Sequence, residues 1–409
     1  MTALRNYAVV TLCYWSFTLS DGALRMLVLL HFYHQGFTPL TLSLLFLLYE
    51  AAGIVANLGG GWLATHFGIP RMLSAGLTLQ IGGILLLSAL DPGWSQQLSV
   101  AWVVFAQGIA GVAKDLTKTA SKSAIKATAD GGTGQLFRWV AWFTGSKNTM
   151  KGIGFFVGGL LLETLGFRPA LWLMAAVLAV ALVGGTTTLP RALGKAQASK
   201  SFRELFARTR AINLMAMARI FLFGSRDVWF VVGLPVFLYG QHWRYLEVAT
   251  FLAAWTIGYG LVQALTPALV RRSSDGLSSE VPAALRWGMV LAIIPIVLAL
   301  ALGNAQLDRP DVLITVGLCI FGFVFAVVSS LHSYLVLAYA GSSKAAEDVG
   351  FYYAANATGR LIGIVLSGLL TQAGGLEKCL WAAAVMLAVC LMITVSLPST
   401  AHSRRQLSS

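Results

Sequence analysis

Long apolar stretches, separated by short polar segments, run along the whole chain. A helix that crosses the hydrocarbon core of a bilayer needs about 20 apolar residues. Polar clusters such as Asp91, Pro92 and Gly93 interrupt the pattern between stretches of that length. Twelve transmembrane helices are therefore predicted, at residues 6–34, 40–65, 71–90, 98–122, 138–165, 169–189, 211–239, 246–270, 283–303, 311–340, 346–373 and 376–397.

Composition excludes a soluble protein. Of the 409 residues, 57% are hydrophobic and only 11% are charged, whereas a soluble domain carries about 25% charged residues. The mean hydropathy is +0.75. Because so few charged residues cannot cover a water-exposed surface, lipid must be the solvent, and the predicted fold class is an all-α integral membrane protein.

The basic residues of the loops predict the orientation. Cytoplasmic loops of membrane proteins are enriched in Lys and Arg. With the N-terminus inside, the predicted cytoplasmic segments hold sixteen Lys and Arg residues and the outer loops hold four. We therefore expect both termini to be cytoplasmic, in a multi-pass protein of the bacterial inner membrane. The net charge of +13 fits a basic membrane face rather than nucleic-acid binding.

The longest polar connection divides the chain into two halves. Residues 190–210 contain six basic residues and one acid, Glu204. We predict an N-terminal six-helix bundle at 1–189, a cytoplasmic linker at 190–210, a C-terminal six-helix bundle at 211–397 and a cytoplasmic tail at 398–409.

The two halves resemble each other. A shift of 209 positions aligns Lys151 with Arg360, and a shift of 206 aligns Asp21 with Asp227. Two six-helix halves with a basic central loop resemble the major facilitator superfamily, whose members bind substrate near the midplane between the halves. The segment GWLATHFGIPR at 61–71 also resembles a loop of that superfamily, although Thr65 and His66 replace the usual Asp and Arg.

Nine basic residues fall inside the predicted helices. A cation at the centre of such a helix costs roughly 2.5–3.5 kcal/mol, so each must face the bundle interior or a wet cavity. Three of the nine, Lys114, Lys118 and Lys122, recur at intervals of four, and Lys126 continues the series beyond the predicted helix. This spacing places them on one helix face. For the two nearest the cytoplasmic end, Lys122 and Lys126, snorkelling to the interface is an equally simple account. The nine are Arg25, Lys114, Lys118, Lys122, Lys147, Lys151, Arg219, Arg226 and Arg360.

Only four acids are available to neutralise these cations. They are Asp21, Glu50, Asp115 and Asp227. Internal ion pairs would leave five cations over, and unpaired buried charge is expensive, so the excess implies either a mobile anion or deprotonated lysines. We favour the first and predict a site for a polyanionic substrate. Arg forks and Lys point charges both suit phosphate-like groups. We predict substrate contacts from Arg25, Lys114, Lys118, Lys122, Lys147, Asn148, Lys151, Arg226, Asn356 and Arg360.

The acids allow two interpretations. Asp21, Glu50 or Asp227 could titrate and couple transport to protons, or each could only neutralise a neighbour, for example Asp21 with Arg25 one turn away. The interior residue His332 could contact substrate or be a satisfied core histidine. The four cysteines are scattered without paired spacing, so neither a disulfide nor a zinc site is expected. No cofactor, metal or catalytic nucleophile is expected either, and we predict that the protein is not an enzyme.

Four segments carry a more specific resemblance. They are YWSFTLSDGALRMLVLLHF at 14–32, AKDLTKTASKSAIK at 113–126, TGSKNTMKGIGFF at 144–156 and FYYAANATGR at 351–360. They resemble the organoarsenical efflux permeases of bacterial arsenic-resistance operons (the ArsJ type). The resemblance implies a substrate, 1-arseno-3-phosphoglycerate, which is made from arsenate by a functionally paired glyceraldehyde-3-phosphate dehydrogenase and is exported for detoxification.

Two other functions are compatible with the same residues. An exchanger of organic phosphate for inorganic phosphate would need a similar polycationic site, and so would a membrane anion sensor without flux. For the permease we expect a monomer that contacts the bilayer and a small polyanion, moves by a rocker-switch mechanism and has no nucleic-acid partner.

Overall fold

The computed structural model describes residues 2–128, 133–190, 209–270, 273, 277–303, 308–339 and 345–398. Within those ranges every regular element is a helix, which confirms the predicted all-α class. The helices, in chain order, are α1 (Thr2–His34), α2 (Pro39–Leu44), α3 (Leu47–Phe67), α4 (Ile69–Ser88), α5 (Gln96–Thr128), α6 (Thr133–Thr164), α7 (Phe167–Thr188), α8 (Arg210–Phe230), α9 (Gly233–Gly240), α10 (Tyr245–Leu269), α11 (Glu280–Leu302), α12 (Pro310–Tyr339) and α13 (Ala345–Val395).

The described helices are consistent with twelve membrane crossings. Among the described residues, nine segments are long and apolar enough to span a bilayer. One of them, Phe351–Val395, has 45 residues and breaks at Gly374 and Gly375, where Gly375 has a φ of 70°. That break separates the predicted spans 346–373 and 376–397. Helices α1 and α6 have 33 and 32 residues, or about 50 Å each at a rise of ~1.5 Å per residue.

The described part of the chain forms two compact units. The first comprises Met1–Gly36, Leu44–Glu204 and Arg244–Ile257, and the second comprises Phe37–Ser43, Leu205–Trp243 and Gly258–Ser409. Most of the predicted linker, 190–210, lies outside the described residues, so the predicted domain boundaries stay a prediction.

The distribution of polarity is inverted relative to a soluble protein. In the first unit the carboxylate of Glu50 is fully buried, whereas Val180 is 75% exposed. In the second unit Asp227 is buried while Val385 is 63% exposed. Exposed apolar side chains are stable in lipid, and the buried charges avoid lipid by facing other helices. The protein therefore presents apolar faces outward and places its chemistry inside each unit.

Glycines bring α1 and α6 together in the first unit. A Cβ atom on Gly158 would lie 2.8 Å from the Cα atom of Ala23, and one on Gly154 would lie 3.1 Å from the Cα atom of Gly22. Real Cβ atoms do not approach backbone this closely, so only glycine permits the contact. Small residues that allow close backbone approach are typical of helix interfaces in membranes.

The second unit repeats this arrangement between α8 and α13. A Cβ atom on Gly363 would lie 2.9 Å from the Cβ atom of Asp227. Gly154 and Gly363 are related by the same shift of 209 that aligns Lys151 with Arg360. In each half of the chain, a glycine of the fifth predicted span therefore packs against the first span of the same half. The contact lies at the turn that bears an acid, Asp21 in one half and Asp227 in the other. This packing agrees with the predicted internal repeat.

Replacing Gly158 with Val tests this contact. We expect Gly158→Val to lower the thermal unfolding midpoint of the detergent-solubilised protein by several degrees, because overpacking costs about 1–3 kcal/mol and backbone cannot move aside. Gly184→Val on α7 is the matched control, since a Cβ atom at Gly184 would meet nothing within 4 Å. Equal midpoints for the two variants would contradict the proposed packing.

Candidate functional site

Glu50 connects three helices of the first unit. Its Oε1 lies 3.5 Å from Nη1 of Arg25 on α1, and its Oε2 lies 3.8 Å from Nζ of Lys114 on α5. The carboxylate side chain is fully buried, whereas 12% of Arg25 and 14% of Lys114 is exposed. One acid is therefore shared by two cations, and both cations keep part of their surface accessible.

Tyr49 completes this network. Its hydroxyl donates a hydrogen bond of 2.5 Å to Oδ1 of Asp21, and the face of its ring lies 3.8 Å from Nζ of Lys114. The guanidinium of Arg25 lies 5.1 Å from the ring centre of Phe46. Asp21 and Arg25, which sequence spacing offered as one possible pair, have other partners here: Arg25 contacts Glu50 from a different helix, and Asp21 accepts a hydrogen bond from Tyr49.

A glycine on α5 makes the Lys114 contact possible. A Cβ atom at Gly111 would lie 2.8 Å from the Cα atom of Tyr49. Since any larger residue would push α5 away from α3, Gly111 sets the distance between Lys114, one turn later, and Glu50. The position of Lys114 thus follows from backbone contact between the two helices and not from the lysine alone.

A second cation–acid group lies further along α5. Lys118 Nζ donates to Oδ1 of Asn57 at 2.6 Å and to Oδ1 of Asp115 at 3.1 Å. Asn57 Nδ2 in turn donates to Oδ1 of Asp115 at 3.4 Å. Lys118 is partly exposed while Asp115 is buried. The side chains of Lys122 and Lys126, which extend the predicted lysine series, lie outside those that the structure describes.

Helix α6 supplies the remaining predicted residues of the first unit. Lys147, Asn148 and Lys151 are all partly buried, and Nζ of Lys151 lies 5.6 Å from the ring centre of Phe155. The backbone of Lys151 also packs on Gly22, which follows Asp21. The turn with Lys151 and the turn with Asp21 are thus in direct contact.

In the second unit Arg226 pairs with the acid beside it. Nε and Nη2 of Arg226 lie 2.6 and 2.5 Å from Oδ1 of Asp227. The guanidinium also lies 5.0 Å from the ring centre of Phe223 and 5.6 Å from that of Phe325. Asn356 and Arg360 lie on the facing helix α13, and both are partly buried.

Within the predicted membrane helices, cations outnumber acids in both units, although most of the cations are only partly buried. Among the predicted membrane charges with described side chains, the first unit has five cations for three acids and the second has three cations for one. The cations are Arg25, Lys114, Lys118, Lys147, Lys151, Arg219, Arg226 and Arg360, and the acids are Asp21, Glu50, Asp115 and Asp227. Such an excess of positive charge can accommodate an anion with more than one negative group.

Some residues of these networks were not predicted as site residues. Tyr49 and Asn57 were missed because a single polar residue in an apolar segment gives no signal of its partner. Arg219 was recognised as a membrane cation but not assigned a role. Within the described residues, no group of three His, Cys, Asp or Glu side chains could hold a metal ion.

Comparisons with known proteins agree on the fold. The family model of the Major Facilitator Superfamily matches residues 10–347. A search of the curated proteins found no match. Among solved structures, a mutant of the nucleoside transporter NupG has a TM-score of 0.72 at 15% identity, covering 97% of this chain and 100% of that one.

Two further structures are similar. A D-xylose–proton symporter has a TM-score of 0.73 at 12% identity, with 98% of each chain covered. The human organic anion transporter MFSD10 (TETRAN) has a TM-score of 0.63 at 17% identity, covering 96% of this chain and 99% of that one. At such low identity these likenesses concern the fold alone.

The shared acid gives a test of the first network. We expect Glu50→Gln and Lys114→Met each to destabilise the solubilised protein, because removing one partner of a buried ion pair costs about 3–5 kcal/mol. The double variant should lose less than the sum of the two, as measured by thermal unfolding. Glu247→Gln is the control, since its ion pair with Arg244 is largely exposed and such pairs contribute about 0–1 kcal/mol. Strictly additive losses would show that Glu50 and Lys114 do not interact.

Proposed function

We propose that this chain, which belongs to the Major Facilitator Superfamily, is an efflux transporter for a small organic polyanion. The specific substrate that we propose is 1-arseno-3-phosphoglycerate, and the physiological role is arsenate detoxification. The transporter would operate in the bacterial inner membrane by rocker-switch alternating access, moving its substrate without changing it chemically.

The observation that carries this proposal is the excess of cations over acids within the predicted membrane helices of each unit. A neutral solute such as a sugar would contribute no negative charge to these cations. A dianion or trianion would instead neutralise the cations, so its binding to the site would be electrostatically favourable. The desolvation already imposed on the cations also strengthens their attraction for an anion, because the local dielectric is low.

The residue types fit phosphate-like groups. Guanidinium groups bind tetrahedral oxyanions through two parallel hydrogen bonds, while lysines act as mobile point charges. In the first unit the side chain of Lys118 is partly exposed, whereas Nζ of Lys114 is buried, so Lys118 is the more accessible of these two proposed ligands. We propose Arg25, Lys147 and Lys151 as further ligands there, and Arg226, Asn356 and Arg360 as ligands in the second unit.

Glu50 gives the empty transporter an internal counter-ion. Its carboxylate lies between Arg25 and Lys114 at 3.5 and 3.8 Å. These are long distances for ion pairs: the contact with Arg25 is a weak hydrogen bond, and the contact with Lys114 is an ion pair without a hydrogen bond. An arriving oxyanion can take over both cations without first breaking a short bond. Because Glu50 contacts both cations while Asp21 accepts a hydrogen bond from Tyr49, we propose Glu50 as their counter-ion when the site is empty.

The choice of an arsenate ester over other organic phosphates rests on the resemblance of four segments to organoarsenical efflux permeases. The same resemblance implies the proposed functional partner, a glyceraldehyde-3-phosphate dehydrogenase that accepts arsenate in place of phosphate. Pentavalent arsenic in an ester has the shape and charge of phosphate, so cations and hydrogen-bond donors, rather than cysteines, are the appropriate ligands.

Arsenate tolerance of a sensitive bacterium tests the function directly. We expect tolerance when the permease and the dehydrogenase are expressed together, and none with either alone, because only the pair makes and exports the ester. Tolerance with the permease alone would point to export of free arsenate. No tolerance in any combination, despite normal membrane expression, would contradict the proposed substrate. Acceleration of export by phosphate trapped on the opposite side would favour the exchanger.

Two substitutions test the proposed ligands. Lys147→Met and Arg360→Met should each reduce export of the arsenate ester at least tenfold at equal expression, since each removes one charge from the site. Lys378→Met is the matched control, because Lys378 is exposed and its Nζ donates only to the carbonyl of Ala373. Export is measured in everted vesicles supplied with dehydrogenase, glyceraldehyde 3-phosphate, NAD and arsenate. Unchanged rates in both site variants would remove these residues from the site.

A further inference from the structure

A groove of about 440 Å³ runs between α1 and α7, and both of its walls belong to the first unit. Helix α7 contributes positions between Val177 and Thr188, and α1 contributes Val9, Leu12, Cys13 and Ser16. The lining positions of α1 recur at intervals of three and four, so they form one stripe along the helix. A volume of this size is typical of ligand sites.

Two glycines of α7 shape this α1–α7 groove. A Cβ atom on Gly185 would lie 3.0 Å from Sγ of Cys13, so glycine allows the two helices to approach each other there. A Cβ atom on Gly184 would meet nothing within 4 Å. Gly185 is buried and Gly184 is exposed. The first glycine therefore lies at the floor of the groove and the second at its open side.

The polar side chains of the groove bond to the backbone of its own two helices. Sγ of Cys13 donates to the carbonyl of Ala181 at 3.4 Å. The hydroxyls of Ser16 and Thr188 each donate to the carbonyl four residues earlier, at 3.0 and 2.5 Å. Because these hydrogens are already donated, the lining side chains present mainly hydrocarbon. The groove is therefore suited to an apolar ligand rather than to a polar solute.

The dimensions of the groove match one acyl chain. At ~1.5 Å per residue, the stretch from Val177 to Thr188 is about 16 Å long, which is close to half of a hydrocarbon core about 30 Å thick. Spread over that length, the volume gives a cross-section of roughly 28 Å². A helix is about 10–12 Å across and is much wider. Leu12 and Val180 in the wall are 58% and 75% exposed, so this surface has lipid as its solvent.

A basic side chain extends the α1 stripe beyond the groove. Arg5 lies one turn before Val9 on the same face of α1 and is exposed. Among the described residues, Arg5 forms no ion pair with an acid. It lies at the end of the bundle where α1 begins and α7 ends, which is the predicted cytoplasmic side. A basic residue at a bilayer surface attracts anionic lipid headgroups.

We propose that the α1–α7 groove binds an anionic phospholipid, with one acyl chain between the two helices and the phosphate group at Arg5. The apolar wall and the length of one leaflet select the chain, and the charge of Arg5 selects the headgroup. This lipid site goes beyond the proposed export activity and does not depend on which substrate is exported. Lys147→Met, which should lose export, should therefore bind the lipid as the wild type does.

Thermal unfolding in detergent tests the headgroup contact. We expect phosphatidylglycerol to raise the unfolding midpoint in a saturable manner, because a ligand of the folded state stabilises it. Phosphatidylethanolamine with the same chains should act only at higher concentration, and glycerophosphoglycerol, which has no chains, should have no effect. Arg5→Gln should weaken the apparent affinity for phosphatidylglycerol about fivefold, which is the contribution of one basic residue at an anionic surface.

Arg71→Gln is the matched control for that variant, because Arg71 is exposed in the first turn of α4 and is not among the groove residues. It should keep the full response to phosphatidylglycerol. A wild-type protein without a saturable response, or an Arg5→Gln variant with unchanged affinity, would overturn the proposal. So would a response to glycerophosphoglycerol equal to that of the intact lipid.

Filling the groove tests the acyl-chain contact. Gly184→Phe should lower the amount of phosphatidylglycerol that the protein retains in native mass spectrometry at least fivefold, since the new side chain takes the place of the lipid chain. Val183→Phe is the control, because Val183 is exposed on α7 but does not line the groove. If Gly184→Phe does not fold, the smaller Gly184→Val should lower retention in the same direction.

The same spectra identify a protein occupant. If the groove held a helix of a second copy, Gly184→Phe would convert a dimer to a monomer and leave lipid retention unchanged. That result would overturn the lipid site, as would equal retention by the wild type and both Gly184 variants. Loss of lipid at a constant oligomeric state is the result that we expect.

Discussion

The cost of an uncompensated cation in apolar surroundings is the constraint on which the rest of this structure depends. In lipid a charged side chain cannot reach water, so it must meet an opposite charge, a dipole or an aromatic face within its own helix bundle. Glu50 meets this demand for two cations at once, and Asp115 meets it for Lys118 with help from Asn57. Where cations outnumber acids, we propose that a transported anion supplies further negative charge.

Close helix packing determines which charges can meet. Gly111 allows α5 to approach α3 at Tyr49, and Gly154 and Gly158 allow α6 to approach α1 beside Asp21. Each of these contacts lies within about one turn of a charged residue, so a larger side chain would change the charge network as well as the packing. The glycines and the ion pairs therefore act together. Backbone contact sets the distance between the helices that carry the charged side chains, and electrostatic attraction stabilises that arrangement.

The sequence predicted the helices well because their signal is local. A run of about 20 apolar residues must cross a bilayer wherever it occurs, and even the break between the last two predicted spans coincides with Gly374 and Gly375. The pairing of charges was harder to predict. Asp21 and Arg25 are one turn apart, which suggests a pair, yet Glu50 and Tyr49 from α3 separate them. Sequence spacing identifies neighbours on one helix but not the helix that packs against it.

Both units hold cations among their helices, but the cations and the groups that contact them differ between the units. The cations of the first unit are mostly lysines: Lys114 lies 3.8 Å from Glu50, which Arg25 also contacts, and Lys118 lies 3.1 Å from Asp115. Those of the second unit are arginines held against aromatic rings, as Arg226 and Arg219 both are against Phe223. A lysine is a flexible and strongly hydrated point charge, whereas an arginine is a rigid and weakly hydrated fork. We propose that Lys114, the lysine that contacts Glu50, exchanges this carboxylate for the transported anion, and that the stacked arginines retain a fixed orientation. The two units therefore share the glycine contact of the internal repeat but differ in the type of residue that carries their positive charge.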